Sequence, residues 1–196
     1  MAYSVLILFA ILALLVSANV VLFDFPIGST SLSHYQCVKR AYDEIVIFMP
    51  TSATGIIDSY RQMFINANTA GLKVQLGFFP CRSLSPEQQA NELIKKLGQN
   101  NVDRVWIYPL DLNTDSCSWK HSTFDSNCIF LQDVLSALKR NGYKTGAAAL
   151  LDFWKTFFGS ELGCPQVAGE LLAWIPAATQ QDHNPALEPY YKIGGW

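Results

Sequence analysis

The chain is poor in charge. Only 15% of its 196 residues are charged, and 14 Lys and Arg stand against 16 Asp and Glu, a net charge of −2. A nucleic-acid-binding surface needs a concentrated basic excess, and there is none. Phosphate cradles are also missing: the chain has no Gly-x-Gly-x-x-Gly and no Gly-rich loop ending in Lys. No Gly-x-Ser-x-Gly elbow marks a serine hydrolase. There is no Cys-x-x-Cys pair, and His34, His121 and His183 lie in no ligand-like spacing, so neither a metal nor a cofactor is expected. Asn-x-Ser/Thr acceptors are absent, which excludes N-glycosylation. Apolar residues, by contrast, are abundant. Half the chain is hydrophobic and 13% aromatic, enough to bury a core and to argue against disorder. The length suits one domain.

Met1 to Ala18 carries no charged residue. Its apolar run from Val5 to Val16 has the length of a signal-peptide core and is short for a bilayer span. Val16-Ser17-Ala18 places small residues where signal peptidase cuts, so cleavage after Ala18 is expected. Because the segment lacks a Lys or Arg before its apolar run, an uncleaved anchor is the alternative. The reading is a signal peptide at 1–18 and one domain at 19–196, with the mature protein secreted, extracellular or in a lysosomal lumen, and no membrane partner after cleavage. Five cysteines fit an oxidising destination: Cys37, Cys81, Cys117, Cys128 and Cys164. One thiol must be left over, and about 15 two-bridge arrangements are possible. Cys117 and Cys128 flank a polar loop, and they are expected to pair.

Short apolar runs alternate with longer amphipathic ones. Candidate strands are Val20–Phe25, Ile45–Pro50, Val74–Phe79, Val105–Tyr108, Thr145–Leu150 and Leu171–Ile175. They are rich in Val, Ile, Leu and aromatics without polar alternation, as in strands buried on both faces. Helical patterns fall at Ser31–Ala41, Ile56–Ala70, from Ser85-Pro86-Glu87 onward, and at Phe124–Arg140 before Asn141-Gly142. Repeated βα units imply a parallel sheet, either doubly wound or closed as a barrel. The chain is short for a full (β/α)8 barrel of about 250 residues. The expected fold is therefore an α/β, incomplete (β/α) TIM-like barrel with a parallel sheet and fewer than eight helices.

In such folds chemistry sits at the carboxyl ends of the strands. Those ends hold Asp24, Asp111 and Asp152, with Tyr108 and Trp174 beside them. Carboxylates next to aromatic platforms suit carbohydrate chemistry, because rings stack on sugar faces while acids handle protons. Each Asp also suits the ordinary task of capping the next helix. Asp24 stands inside an apolar run, where a charge is costly without a purpose. The loop from Leu110 to Asn127 is polar and long for a βα connection, so it is expected to be exposed and to overhang the mouth, with Asp111 facing Asp24.

Several segments, taken in order, resemble glycoside hydrolase family 25 proteins of the lysozyme type found in nematodes and amoebae. They are the strand ending in Asp24 with the Tyr35-Gln36-Cys37-Val38-Lys39 helix after it, and Ala70-Gly71-Leu72-Lys73-Val74 leading to Phe79-Pro80-Cys81. Asp103-Arg104-Val105-Trp106-Ile107 follows, then Leu172-Ala173-Trp174, Asn184-Pro185 and Gly194-Gly195-Trp196. The resemblance runs from Val20 to Trp196. It implies a truncated barrel and cleavage of the muramic acid–glucosamine linkage of peptidoglycan. The family's motif is Asp-x-Glu at the end of the fourth strand, with Glu as proton donor and Asp supporting the substrate's acetamido group. Here the match is Asp111-Leu112-Asn113 if a short insertion is allowed, and Tyr108-Pro109-Leu110 if not. The acid is missing either way. The family also continues past Gly-Gly-Trp with a further strand, which implies an unclosed barrel in this chain.

The resemblance thus implies a lysozyme-like protein of innate defence or bacterial digestion, engaging peptidoglycan or a related glycan, with its activity reduced or lost. Asp24 and Asp111 would line the cleft, Asn113 would hold the acid's position, and Tyr108 and Trp174 would form its walls. Two alternatives stay open. One is an active hydrolase using relocated acids, Asp111 with Asp115 or Asp152; the other is a module kept for glycan or protein contact.

Overall fold

The computed structural model describes residues 31–49, 61–97, 102–109 and 117–167, Glu170, and the backbone of strand segments 21–24, 51–52, 55–56, 171–174 and 192–194. The signal peptide expected at 1–18 lies outside them. One sheet of seven strands organises the described residues, in the order β1 (Val21–Asp24), β2 (Glu44–Met49), β5 (Lys73–Phe78), β6 (Arg104–Ile107), β7 (Lys144–Ala149), β8 (Leu171–Trp174) and β9 (Lys192–Gly194). The first six run parallel; β9 alone is antiparallel, against β8. Between β2 and the next helix, β3 (Thr51–Ser52) and β4 (Gly55–Ile56) form a two-rung ribbon.

Five α-helices are present among the described residues: α1 (Leu32–Val38), α2 (Arg61–Thr69), α3 (Pro86–Leu97), α4 (Phe124–Arg140) and α5 (Leu151–Phe158). The parallel strands lie side by side in chain order, with no reversal of direction across the sheet. A doubly wound sheet reverses at a switch point, so this order selects the barrel-type winding. Among the described residues β1 and β9 are paired on one side only, so the barrel is incomplete.

Local chemistry sets the helix ends. Ser31 caps α1 by accepting from the His34 N–H, and the Ser85 hydroxyl accepts from Gln88 N–H ahead of Pro86. Thr123 caps α4, whose first turn carries Asp125 and whose last carries Lys139 and Arg140, matching the helix dipole. Among the described residues the second helix runs Arg61–Thr69, and Ile56, where its pattern begins, belongs to the ribbon instead. The fifth helix, α5, is not among the four helical patterns marked in the sequence. Trp154, Phe157 and Phe158 give it an apolar face, and Gly159, at φ 83°, ends it in the left-handed region.

The sheet has two apolar faces. Ile45, Ile47, Met49, Val74, Leu76, Phe78, Val105 and Ile107 pack with helix residues such as Phe64, Leu93, Leu131 and Leu135 in one continuous core. The alternate residues form the inner face. One row across it reads Phe48, Gly77, Trp106, Gly146, large against small on successive strands. That alternation lets wide rings fit within strand spacing. At the amino ends of the strands, the Gln75 Nε2 donates to Glu44, and the Trp106 indole N–H donates to Gln75 at 2.5 Å. Lys73 bridges Glu44 and Asp103, and Lys144 reaches Asp103 at 3.2 Å, so charge ties β2, β5, β6 and β7 together at this end.

Candidate functional site

The carboxyl ends of β2, β5 and β6 meet in a trio of rings. Phe48 and Phe79 stack at 5.4 Å between centroids, and Tyr108 stands edge-on to both at 5.4 Å. All three are buried, Tyr108 to 3% exposure. Burial pushes the Tyr108 hydroxyl up to about 12, against a backbone hydrogen bond with Leu150 that favours its ionised form. The ring expected to line a sugar-stacking wall thus packs against Phe48 and Phe79 at the base of the mouth.

Immediately beyond, the rim is fastened covalently. Cys81 and Cys117 form a disulfide with Cα atoms 4.3 Å apart, spanning 36 residues. This overturns the expected Cys117–Cys128 bridge. Cys117 turns back to the end of β5 before α4 begins, whereas Cys128 lies inside α4 and is buried as a thiol. Gln89 of α3 holds Cys81 from both sides: its Oε1 accepts from the Cys81 N–H at 2.7 Å, and its Nε2 donates to the Cys81 carbonyl at 3.0 Å.

Over its second half the loop is only partly the exposed one expected: Lys120, His121, Thr123, Phe124 and Asp125 are exposed, but the residues on either side of them are not. Cys117, Ser118, Trp119 and Asn127 are buried, and Trp119 is completely so. Its indole packs against Phe130, Phe157 and Phe158 and donates to the Pro80 carbonyl at 3.3 Å. The Asn127 amide donates to the Trp119 and Phe157 carbonyls at 3.0 and 2.9 Å. Arg82 lies 4.4 Å over the Phe130 ring and donates to Ser122 and Ser126. One large indole outweighs the polar residues around it, because the area it buries exceeds what the short polar side chains need from water. A tryptophan amid polar residues was the signal in the sequence.

Asp111, Asn113 and Asp115 lie outside the described residues, but their flanks do not. The segment 110–116 leaves the ring trio after Pro109 and returns at Cys117, so both its ends are anchored at the rim. Asp24 is the last residue of β1, in register with Ile47, and Trp174 the last of β8, in register with Ala149. Their side chains are outside the description. Asp152 is exposed in the first turn of α5, three residues past the end of β7. The parallel order therefore brings the ends carrying Asp24, Tyr108, Asp152 and Trp174 to one edge of the sheet. Among the described residues no group of three His, Cys, Asp or Glu is placed to hold a metal.

This frame is similar to that of known lysozymes. A family GH25 lysozyme from Aspergillus fumigatus aligns with a TM-score of 0.58 at 12% identity, over 81% of this chain and 77% of that one. A bacterial lysozyme from Streptomyces coelicolor aligns at 0.55 and 15% identity, over 67% and 65%. At such identities the likeness concerns the fold. In sequence, the chain is 25% identical over 174 residues to a probable GH family 25 lysozyme 3 of Dictyostelium discoideum, covering 85% of this chain and 33% of the relative. The chain thus spans about a third of that relative's length. The model of the family described as lysozyme-like protein 1 matches residues 23–196, from β1 through β9. With barrel winding, rim and strand order all inside that span, the chain belongs to the lysozyme-like protein 1 family.

Proposed function

We propose that this is a secreted lysozyme-like protein of innate defence or bacterial digestion that engages peptidoglycan with its hydrolytic chemistry reduced or lost. The reading is carried by the missing Glu: the segment resembling the family's Asp-x-Glu motif is Asp111-Leu112-Asn113 with a short insertion or Tyr108-Pro109-Leu110 without one, within a family match that covers the fold. An amide cannot protonate a leaving glycosidic oxygen, and general acid catalysis is worth about 10²–10⁴-fold. The leader and the Cys81–Cys117 bond support secretion, since disulfides persist in oxidising compartments.

Two assays on the purified protein test this: clearing of a bacterial cell-wall suspension, and co-sedimentation with insoluble peptidoglycan. Binding without clearing is expected, and Asn113→Glu should raise clearing. Robust clearing by the unaltered chain overturns the reading. Failure to bind peptidoglycan assigns the barrel to another contact.

Asp152 favours a second reading, an active hydrolase with relocated acids, because it is exposed at the rim. Retention of configuration needs carboxyl groups about 5–5.5 Å apart and inversion about 6.5–9.5 Å. Under this reading the unaltered chain clears walls and Asp152→Asn does not.

A further inference from the structure

Two thiols outside the rim face each other. Cys128 in α4 and Cys164 after α5 are both buried, at 3% and 5% exposure, and their sulfurs are hydrogen-bonded. The turn that delivers Cys164 is unusual. Gly159 leaves α5 at φ 83°, and Gly163 passes so close to Phe158 that an added Cβ would fall 2.1 Å from its carbonyl oxygen. Cys164 then takes φ 73°, the one positive value at a non-glycine among the described residues. Cysteine has neither glycine's freedom nor the local hydrogen bonding that lets Asn or Asp sit there. Such a conformation persists where surrounding contacts over-determine it. Here its effect is to turn the side chain back onto α4.

We infer that Cys128 and Cys164 form a second disulfide, which fastens the chain between α5 and β8 onto α4. The pairing needs a disulfide oxidant, such as glutathione disulfide. The thiolate of one cysteine attacks a glutathione sulfur, forming a mixed disulfide and releasing one glutathione thiolate. The other cysteine, deprotonated, displaces the second glutathione. Two protein thiols lose two electrons, one glutathione disulfide becomes two glutathione thiols, and the two protons leave with them. Burial pushes both thiols up from their ordinary values, which disfavours the attacking thiolate once the site has closed. Pairing therefore belongs to folding, while the sulfurs are still reached by oxidant. Cys37, exposed on α1, is the cysteine left over.

The full chain is produced in an oxidising secretory compartment, denatured without reductant in the presence of an alkylating reagent, and mapped by peptide mass. The expected result is one alkylated thiol, at Cys37, and two cross-linked pairs, 81–117 and 128–164. Cys128→Ala and Cys164→Ala should each show two alkylated thiols while keeping 81–117. Cys37→Ala should show none and both bridges. In thermal melts the doubly bridged chain should exceed each single variant by on the order of 5–10 °C. Alkylation of Cys128 and Cys164 in a folded chain that retains 81–117 overturns the inference, as does any other pairing.

Discussion

Gly77 lies directly under the Phe48 ring: a Cβ at position 77 would fall 2.1 Å from Phe48 Cδ1. Phe48 cannot move aside freely, because Phe79 and Tyr108 pack against it. Gly77→Ala should therefore destabilise the fold by about 1–3 kcal/mol through overpacking. Combined with Phe48→Leu, its cost should shrink, giving a non-additive cycle in urea unfolding. Additive costs would show that the ring does not constrain this position.

Asn127 is the polar bolt of the Trp119 region. Replacing it with Leu removes donors from two buried carbonyls, at Trp119 and Phe157, and should cost about 2–4 kcal/mol. Trp119→Ala should cost about 3–5 kcal/mol by cavity formation. Chemical denaturation curves check both values.

Loss of the rim disulfide should be felt at the mouth more than in the core. Cys81→Ala with Cys117→Ala closes no 36-residue loop, and should lower stability by about 2–4 kcal/mol. Proteolysis should then move to the segment after Pro109, ahead of cleavage elsewhere. Unchanged proteolysis would show that the disulfide does not hold that segment.

Acid weakens the amino ends of the strands. Partial burial of Asp103 opposes its ionisation, but hydrogen bonds and charge from Lys144 and Lys73 outweigh it and hold the carboxyl below its ordinary value. A depressed folded-state value gives stability that is full above the unfolded value, near 3.9, and is lost as pH falls through the folded one. Asp103→Asn should flatten the fall in urea midpoint below about pH 4. An unchanged acid slope would remove Asp103 from the account.

Alkali acts at the other end. With Tyr108 pushed up to about 12 by burial, its contribution is full below the unfolded value, near 10, and disappears as pH rises through the folded one. Ultraviolet titration of phenolate should show a late-ionising tyrosine that Tyr108→Phe removes.

The fold was legible where one residue pattern allowed one outcome. Apolar runs such as Ile45–Met49 are buried along their whole length, and Phe124–Arg140 is helical over the span its pattern marks. Cysteine pairing was not legible, because the proximity of Cys81 and Cys117 depends on where the β6–α4 connection turns back. That turn is set by Trp119, whose burial draws the loop inward against its polar composition. For the candidate site only strand-end position was legible, since topology carries Asp24, Tyr108, Asp152 and Trp174 to one edge of the sheet. The packing of Tyr108 against Phe48 and Phe79 comes from side-chain volumes on three neighbouring strands, which no local window contains.

The unclosed sheet has a colloidal consequence. An unpaired strand edge is a template on which another chain can add, and it seeds aggregation in proportion to its length and flatness. Among the described residues the two margins are β1, four residues long, and β9, three residues long and antiparallel to its neighbour. Each margin offers few rungs to an incoming strand. Margins this short let a barrel stay open while giving a second molecule little to add to.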